Sequence, residues 1–358
     1  GPAAFLAVGI TAGALGWLPT EISPATLEQL GALALYAILF QGGVSTGFRA
    51  WRSEAASIVL LGTIGTAATA AALAGVAHYV LGLDWALAAL VAVALSPTDP
   101  AAVYATLRGN GGSSRPRVIL EGESGFNDPV SISLMVVAVA MVGSDDTGLA
   151  DGVIRFAKEM GIGLAGGIVG AGLLVLLIRL TPRIDDALQS VVVITGATAV
   201  GAGTATLHGS GFLAVYVAAL LVADVWAEQD GAQHMVPEAA AAVAEPLVFG
   251  LVGAVFASQV GWADVADGIV LTAVTVAVIR PLVVNGCLLG RGLGRVERMV
   301  VSVGGLKGAV PLLLAGYTAL ESLAETARTE GIVLCATAAS IVLQAPLLRG
   351  IARSRASP

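Results

Sequence analysis

Charged residues are scarce in this sequence of 358 residues, since only 12% are Asp, Glu, Lys or Arg. Soluble globular domains contain about 25% charged residues. Hydrophobic residues make up 56% of the chain and occur in long runs separated by short polar turns. This pattern leaves no room for a separate soluble domain and predicts one all-α polytopic membrane domain over residues 1–358.

Cysteine and histidine are also rare, with two and three residues respectively. Cys287 and Cys335 lie inside apolar runs without the spacing of a metal site, and the histidines are too few to build a transition-metal centre. The apolar runs contain no Ser/His pair or nucleophile elbow of an intramembrane enzyme. We therefore expect no enzymatic activity, no cofactor and no nucleic-acid partner.

Windows of membrane length predict about twelve transmembrane spans. They cover residues 3–18, 27–48, 54–80, 85–107, 117–142, 152–178, 186–207, 210–226, 238–258, 265–290, 299–319 and 329–349. The first span is short, and we expect a segment upstream of residue 1.

The basic residues indicate the orientation of these spans. Most of the 18 lie at alternate helix ends, which the positive-inside rule assigns to the cytoplasm. These are Arg49, Arg52, Arg108, Arg115, Arg117, Arg179, Arg183, Arg291, Arg295, Arg298, Arg349, Arg353 and Arg355. The other side has only Arg155, Lys158 and Arg328. Both ends of the chain are then expected on the cytoplasmic side of the cell (inner) membrane.

The fourth span contains the motif SPTDP at residues 96–100. Its two prolines each remove a backbone donor and disfavour helix in the preceding residue, so the helix is expected to break near the middle of the membrane. Thr98, Asp99 and the freed carbonyls would then converge as oxygen ligands. A simple proline kink is the alternative. Asp99 favours a functional site, because an intramembrane acid needs a partner or water.

The fifth span contains EGESGFNDP at residues 121–129. Asp128 lies at the same expected depth as the break, roughly 16 Å from the cytoplasmic boundary. Glu123 and Asn127 are four residues apart, as are Ser124 and Asp128, so each pair shares a helix face. Glu121 is nearer the interface and is expected to be solvated.

Two basic residues, Arg280 and Lys307, lie within apolar spans and require partners. By depth, Arg280 reaches Glu123 and Lys307 reaches the broken fourth helix. Asp128 is left without a permanent partner, which makes it the candidate proton carrier.

The eleventh span repeats the pattern of the fourth, with glycines at 304, 305 and 308 and a proline at 311 around Lys307. The eleventh span comes seven spans after the fourth, an odd number, so the two cross the membrane in opposite directions. This arrangement predicts an inverted repeat with two broken helices that cross at the midplane.

These residues resemble the bacterial NhaP-type monovalent cation/proton antiporters, which are relatives of the animal sodium/proton exchangers. The resemblance covers nearly the whole chain. Its motifs are LFQGG at 39–43, TDP at 98–100, ESGFND at 123–128, SGFLAVYVAALL at 210–221, RP at 280–281 and GGLKGAVP at 304–311. Gln41 stands where many relatives have an acid, and Lys307 replaces a more frequent arginine.

The resemblance implies a fold of thirteen helices, of which twelve are visible here. It assigns residues 54–142 and 265–349 to a core that moves like an elevator. Residues 3–48 and 186–258 would form a dimer scaffold, and residues 152–178 a linker helix. It also implies a homodimer in the lipid bilayer.

The resemblance further implies exchange of K⁺ or Na⁺ for H⁺, with a role in pH homeostasis. Asp128 would alternately bind proton and cation, with Thr98, Asp99 and Ser124 completing the ion site. Asn127 before the essential Asp implies electroneutral exchange. Pro129 is closer to the potassium subgroup, whose members often carry a cytoplasmic regulatory domain beyond the last helix. A cation channel and a transport-inactive sensor with the same fold are the alternatives.

Overall fold

The computed structural model describes residues 2–17, 22–99, 115–143, 149–181, 185–226, 235–256, 260–320 and 323–354. Over these residues the chain is helical and forms no strand. The helices are α1 (Pro2–Ala14), α2 (Pro24–Thr46), α3 (Phe48–Tyr79), α4 (Trp85–Ala94), α5 (Arg115–Gly143), α6 (Leu149–Leu180), α7 (Asp186–Thr206), α8 (Gly211–Trp226), α9 (Met235–Phe256), α10 (Trp262–Cys287), α11 (Arg295–Val303), α12 (Ala309–Leu320) and α13 (Thr326–Ser354). Each predicted span overlaps at least one of them.

Eight of the described helices are long and apolar enough to cross a membrane: α2, α3, α5, α6, α7, α9, α10 and α13. Four shorter apolar helices, α1, α4, α8 and α12, lie among them. The prediction of a polytopic all-α membrane protein is confirmed.

The two predicted helix breaks are present. Helix α4 ends at Ala94, and residues 95–99 leave the helical conformation around Pro97. Helices α11 and α12 are separated by the glycine-rich segment 304–308. The two breaks touch, because the backbone N–H of Asp99 donates to the carbonyl of Leu306 at 2.8 Å. Crossing broken helices, as the inverted repeat predicts, bring polar backbone into the interior of the helix bundle.

Helices α3 and α10 each contain one π-helical turn, at Leu61–Gly65 and Thr275–Ile279. In each helix 13 residues precede the widened turn. Each π turn packs against the second half of the other helix. Arg280 follows the α10 turn directly, so this turn sets the direction of its side chain.

Apolar side chains pack in three buried clusters that surround the breaks. One joins α4 to α9, α12 and α13, and a second joins α2, α6, α7 and α8. The third joins α3, α5, α10 and α11. Helix α1 packs closely on α9, where Gly9 and Gly13 face Gly250 and Ala254.

Several predicted features lie outside the described residues. They are Pro100 and the rest of the predicted span 85–107, most of the connection between the predicted spans 210–226 and 238–258, and the residues Arg108, Arg183 and Arg355.

Candidate functional site

Thr98, in the break after α4, is held by the middle of α5. The amide nitrogen of Asn127 donates to Thr98 Oγ1 at 2.8 Å, and Ser124 Oγ lies 3.1 Å from the same oxygen. The N–H of Thr98 points at Asn127 Oδ1 at 3.5 Å. One turn away, Ser96 Oγ lies 2.9 Å from Ser131 Oγ. The unwound segment is therefore fixed to α5 by side-chain hydrogen bonds.

Glu123 and Arg280 form a bidentate ion pair between α5 and α10. Arg280 Nη1 and Nη2 donate to the two Glu123 oxygens at 2.6 and 2.7 Å. Both side chains are buried, with 1% of Glu123 and 4% of Arg280 exposed. The two-pronged geometry gives each oxygen of Glu123 its own donor. The contact between Arg280 and Glu123, which was predicted from their similar depth in the membrane, is present.

Lys307 is buried in the glycine-rich break, with its ammonium directed at the end of α4. Its Nζ donates to the carbonyl of Pro97 at 3.1 Å and lies 3.5 Å from that of Ser96. A cation at a helix C-terminus is favoured by the helix dipole and satisfies carbonyls that have no helical donor. The sequence predicted the freed carbonyls as ion ligands. The structure instead places these two against Lys307.

Asp128 lies on α5 beside the crossing of the two helix breaks. Unlike Glu123, it has no ion-pair partner among the described residues. Only 4% of it is exposed, and its Oδ1 atom is buried without a hydrogen-bond partner among the described residues. A buried unsatisfied oxygen normally signals a missing water, ion or proton. Asp128 thus differs from Glu123, five residues earlier on the same helix.

A cavity of about 290 Å³ connects Asp128 to the helix ends at the predicted cytoplasmic side. Asp99, Glu121, Asp128, Glu238 and Glu245 line it, and no lysine or arginine is among its described lining residues. An excess of acidic groups around a water-filled cleft attracts cations. Its walls come from α2, including Gln41 and Ser45, from α5 and α9, and from the two breaks.

A second cavity, of about 90 Å³, lies beyond the crossing at the opposite ends of α2 and α12. Its lining is almost entirely apolar. Gly31 on α2 lies so close to Leu313 on α12 that an added Cβ would be 2.5 Å from a Leu313 methyl. The polar cavity is thus on one side of Asp128, and close apolar packing is on the other.

Two residues singled out from the sequence, Ser124 and Glu121, differ in detail from the expectation. Ser124 bonds the Thr98 hydroxyl and is not among the described residues that line the cavity. Glu121 lines the cavity and pairs with Arg117 at 2.8 Å, one turn earlier on α5. Thr98, Asp99 and Asp128 do share the cavity wall.

Three residues that the sequence reasoning did not single out also contribute. Ser340 of α13 accepts the N–H of Lys307 at 3.0 Å and donates to Gln344. Gln344 donates to the carbonyls of Val303 and Gly305 at 3.1 and 3.3 Å, which caps the end of α11. Glu245 of α9 faces the cavity. Both Gln344 and Glu245 are polar residues inside apolar runs, close to a proline, and that signal was available.

The relatives that are similar in sequence to this chain include two potassium antiporters. The K(+)/H(+) antiporter NhaP2 of Shewanella sp. (strain MR-4) is 30% identical over 339 residues, covering 89% of this chain and 56% of the relative. The K(+)/H(+) antiporter NhaP of Alkalimonas amylolytica is 29% identical over 354 residues, covering 98% of this chain and 61% of the relative. The chain spans little more than half the length of these relatives.

A solved structure has the same fold. The sodium proton antiporter MjNhaP1 from Methanocaldococcus jannaschii, determined at pH 8, superimposes with a TM-score of 0.84 at 20% sequence identity. The match covers 100% of this chain and 92% of that one. The family model described as "Sodium/hydrogen exchanger, transmembrane" matches residues 1–353. The chain therefore belongs to the sodium/hydrogen exchanger family.

Proposed function

We propose that this chain is a secondary active antiporter that exchanges a monovalent cation for protons across the cell membrane. The observation that carries the proposal is Asp128. This buried carboxyl has an oxygen without a hydrogen-bond partner among the described residues, and it faces an acidic cavity at the crossing of two broken helices. The names of the similar proteins, two K(+)/H(+) antiporters and one sodium proton antiporter, support the same activity.

Coupling follows from one carboxyl that serves two ligands. When Asp128 loses its proton, the charged oxygen is free to bind a cation from the cavity. When it takes the proton back, the cation loses its charged ligand and leaves. Proton and cation exclude one another at this group, so each crosses only in exchange for the other.

The neighbouring residues have separate roles in this proposal. Thr98 and Asp99 share the cavity wall with Asp128 and complete the cation's oxygen ligands. Asn127 and Ser124 position Thr98 through the hydrogen bonds that they make to it. Glu123 and Arg280 compensate each other's charge, and Lys307 fixes the end of α4. These last three keep the site rigid without exchanging ions.

Alternating access is proposed to occur by movement of one group of helices against the other. Residues 54–142 and 265–349 would form the moving core, and residues 3–48 and 186–258 a dimeric scaffold, joined by α6. The polar cavity lies between α2 and α9 on one wall and the breaks on the other. For the site to open to the opposite side of the membrane, Gly31 and Leu313 must move apart. Their contact also argues against a channel, which needs a continuous pore.

Exchange is proposed to be electroneutral, with one cation for one proton. Asn127, next to Asp128, is neutral and engaged with Thr98, so it adds no second proton. Potassium is favoured slightly over sodium by the two sequence relatives. A role in pH homeostasis follows from this exchange.

The test is exchange in proteoliposomes, with a pH dye reporting proton release as K⁺, Na⁺ or Li⁺ is added. Asp128→Asn keeps the shape of the side chain and removes its charge, so exchange is expected to be lost while the protein remains folded. In the wild type, lowering pH should raise the half-saturating cation concentration by up to about tenfold per unit, the limit for one competing proton. Cation-driven proton flux in D128N would exclude the mechanism.

An ionophore that clamps the membrane voltage tests stoichiometry in the same vesicles. Electroneutral exchange runs at the same rate with and without the clamp. A rate that changes with voltage would contradict one-for-one exchange. A measurable single-channel current would instead support the channel.

A further inference from the structure

Glu245 shares an unusual feature with Asp128. Its Oε1 atom is buried and has no hydrogen-bond partner among the described residues, and the side chain lines the same cavity. The cavity therefore contains two carboxyl oxygens, one on α5 and one on α9, that lack a donor from the part of the chain that the structure describes. Buried polar atoms are almost always satisfied, so both indicate a ligand or water from the cavity.

The backbone next to Glu245 adds a second oxygen. Pro246 lies inside α9 and has no N–H to donate to the carbonyl of Ala242, one turn earlier. Ala242 also lines the cavity. A carboxylate and a carbonyl without its helical donor, on one helix face, are the hard oxygen ligands that alkali cations prefer over nitrogen or sulfur.

The position of Glu245 along the cavity places it on the entry path. It is seven residues beyond Glu238, which is roughly 10 Å farther along α9. Glu238 and Glu121 line the cavity near the helix ends, whereas Asp128 and Asp99 lie at the crossing. An ion that enters past Glu238 meets Glu245 on the way to Asp128.

We propose that Glu245 and the carbonyl of Ala242 form a second cation site, which a partly hydrated K⁺ or Na⁺ occupies before it reaches Asp128. The choice of K⁺ or Na⁺ as the ligand rests on the proposed antiport function. The site raises the cation concentration beside Asp128 and is not the group that exchanges the proton. Loss of this site should therefore weaken the apparent affinity for the cation without stopping exchange.

Exchange kinetics test this role with three variants. Glu245→Gln should raise the half-saturating cation concentration about three- to tenfold, the size expected for removing one nearby charge in a partly hydrated site. Its maximal rate should stay close to that of the wild type. Glu245→Asp should retain most of the affinity. Asp151→Asn, the same carboxyl-to-amide change at an exposed acid of α6 outside the described lining of both cavities, should change nothing. Equal affinity in E245Q and wild type, or a lower maximal rate with unchanged affinity, would refute the site.

Cation-dependent thermal stabilisation of the detergent-purified chain separates this proposal from the transport proposal. KCl and NaCl are titrated against choline chloride at constant ionic strength. D128N should keep a weaker saturable stabilisation, and the D128N/E245Q double variant should lose it. Complete loss in D128N alone would refute a second site. If the wild type binds cations through both acids and yet exchanges nothing, the site stands and the antiport proposal fails.

Discussion

Glu123 and Asp128 are two buried acids on one helix, but their surroundings are opposite. Each oxygen of Glu123 accepts a hydrogen bond from an Arg280 nitrogen within 2.7 Å. Asp128 has an oxygen with no hydrogen-bond partner among the described residues. Glu123 lies between α5 and α10, away from the cavity, whereas Asp128 lines it. The difference indicates that burial alone does not identify a working acid. An oxygen without a partner beside a cavity is what distinguishes Asp128, the proton carrier proposed above.

The same carboxyl-to-amide change should therefore have opposite effects at the two positions. Glu123→Gln leaves the Arg280 guanidinium buried without its counter-charge, which costs about 3–5 kcal/mol of stability. Asp128→Asn removes a buried charge that has little compensation and should leave stability unchanged or higher. Unfolding of the purified proteins in detergent, followed by circular dichroism, measures both.

The double variant Glu123→Gln with Arg280→Met provides the control. It removes both charges, so it should recover most of the stability lost in E123Q. If E123Q is as stable as the wild type, the ion pair has no structural role and the contrast between the two acids fails.

A second, smaller contrast uses two glycines in the break between α11 and α12. A Cβ at position 305 would lie 2.6 Å from Arg280 Nε, and one at 308 would overlap the Asp99 carboxyl. Gly305→Ala should therefore disturb the ion pair and cost about 1–3 kcal/mol of stability. Gly308→Ala should instead displace Asp99 and raise the half-saturating cation concentration by up to about tenfold, or ~1.4 kcal/mol.

Gly286→Ala on α10 is the control, because no described atom outside its own helix backbone lies within 4 Å of the added Cβ. It should leave exchange unchanged and should not destabilise the protein, since Ala has a higher helix propensity than Gly by about 1 kcal/mol. If both G305A and G308A affect only stability, the break does not divide into a structural and an ion-binding part.

The smallest expected effect concerns the hydrogen bond between Ser96 and Ser131, which ties the α4 break to α5 on the Asp128 side. A double-mutant cycle with Ser96→Ala and Ser131→Ala should give a coupling free energy of about 0.5–1.5 kcal/mol in unfolding measurements. Strictly additive effects of the two changes would mean that the hydroxyls do not stabilise each other.

The sequence predicts the helices and the breaks well because both are encoded locally. Long apolar runs define the spans, and Pro97 with its neighbours explains why α4 ends at Ala94. The contact of Glu123 with Arg280 was predictable because a buried charge requires a partner at equal depth. The contact of Lys307 with the broken α4 was predictable for the same reason. Which atoms Lys307 and Ser124 contact was not predictable, since depth and helix face do not decide which hydrogen bond a side chain makes.

Glu245 was hidden for a different reason. Its position in an apolar run beside Pro246 marks it as unusual, but only the packing of α9 opposite the two breaks brings it into the cavity. The π turns were equally invisible, because mostly small and apolar residues flank both turns and offer no periodic pattern in which an extra residue would show.

These π turns have a consequence for how the two halves of the chain should be compared. An inserted residue rotates everything after it by about 100° around the helix axis. Because 13 residues precede the widened turn in both α3 and α10, the two helices remain in step along their lengths. An alignment of one half with the other therefore needs no gap within this pair of helices, and deleting one residue from 275–279 would turn Arg280 away from Glu123.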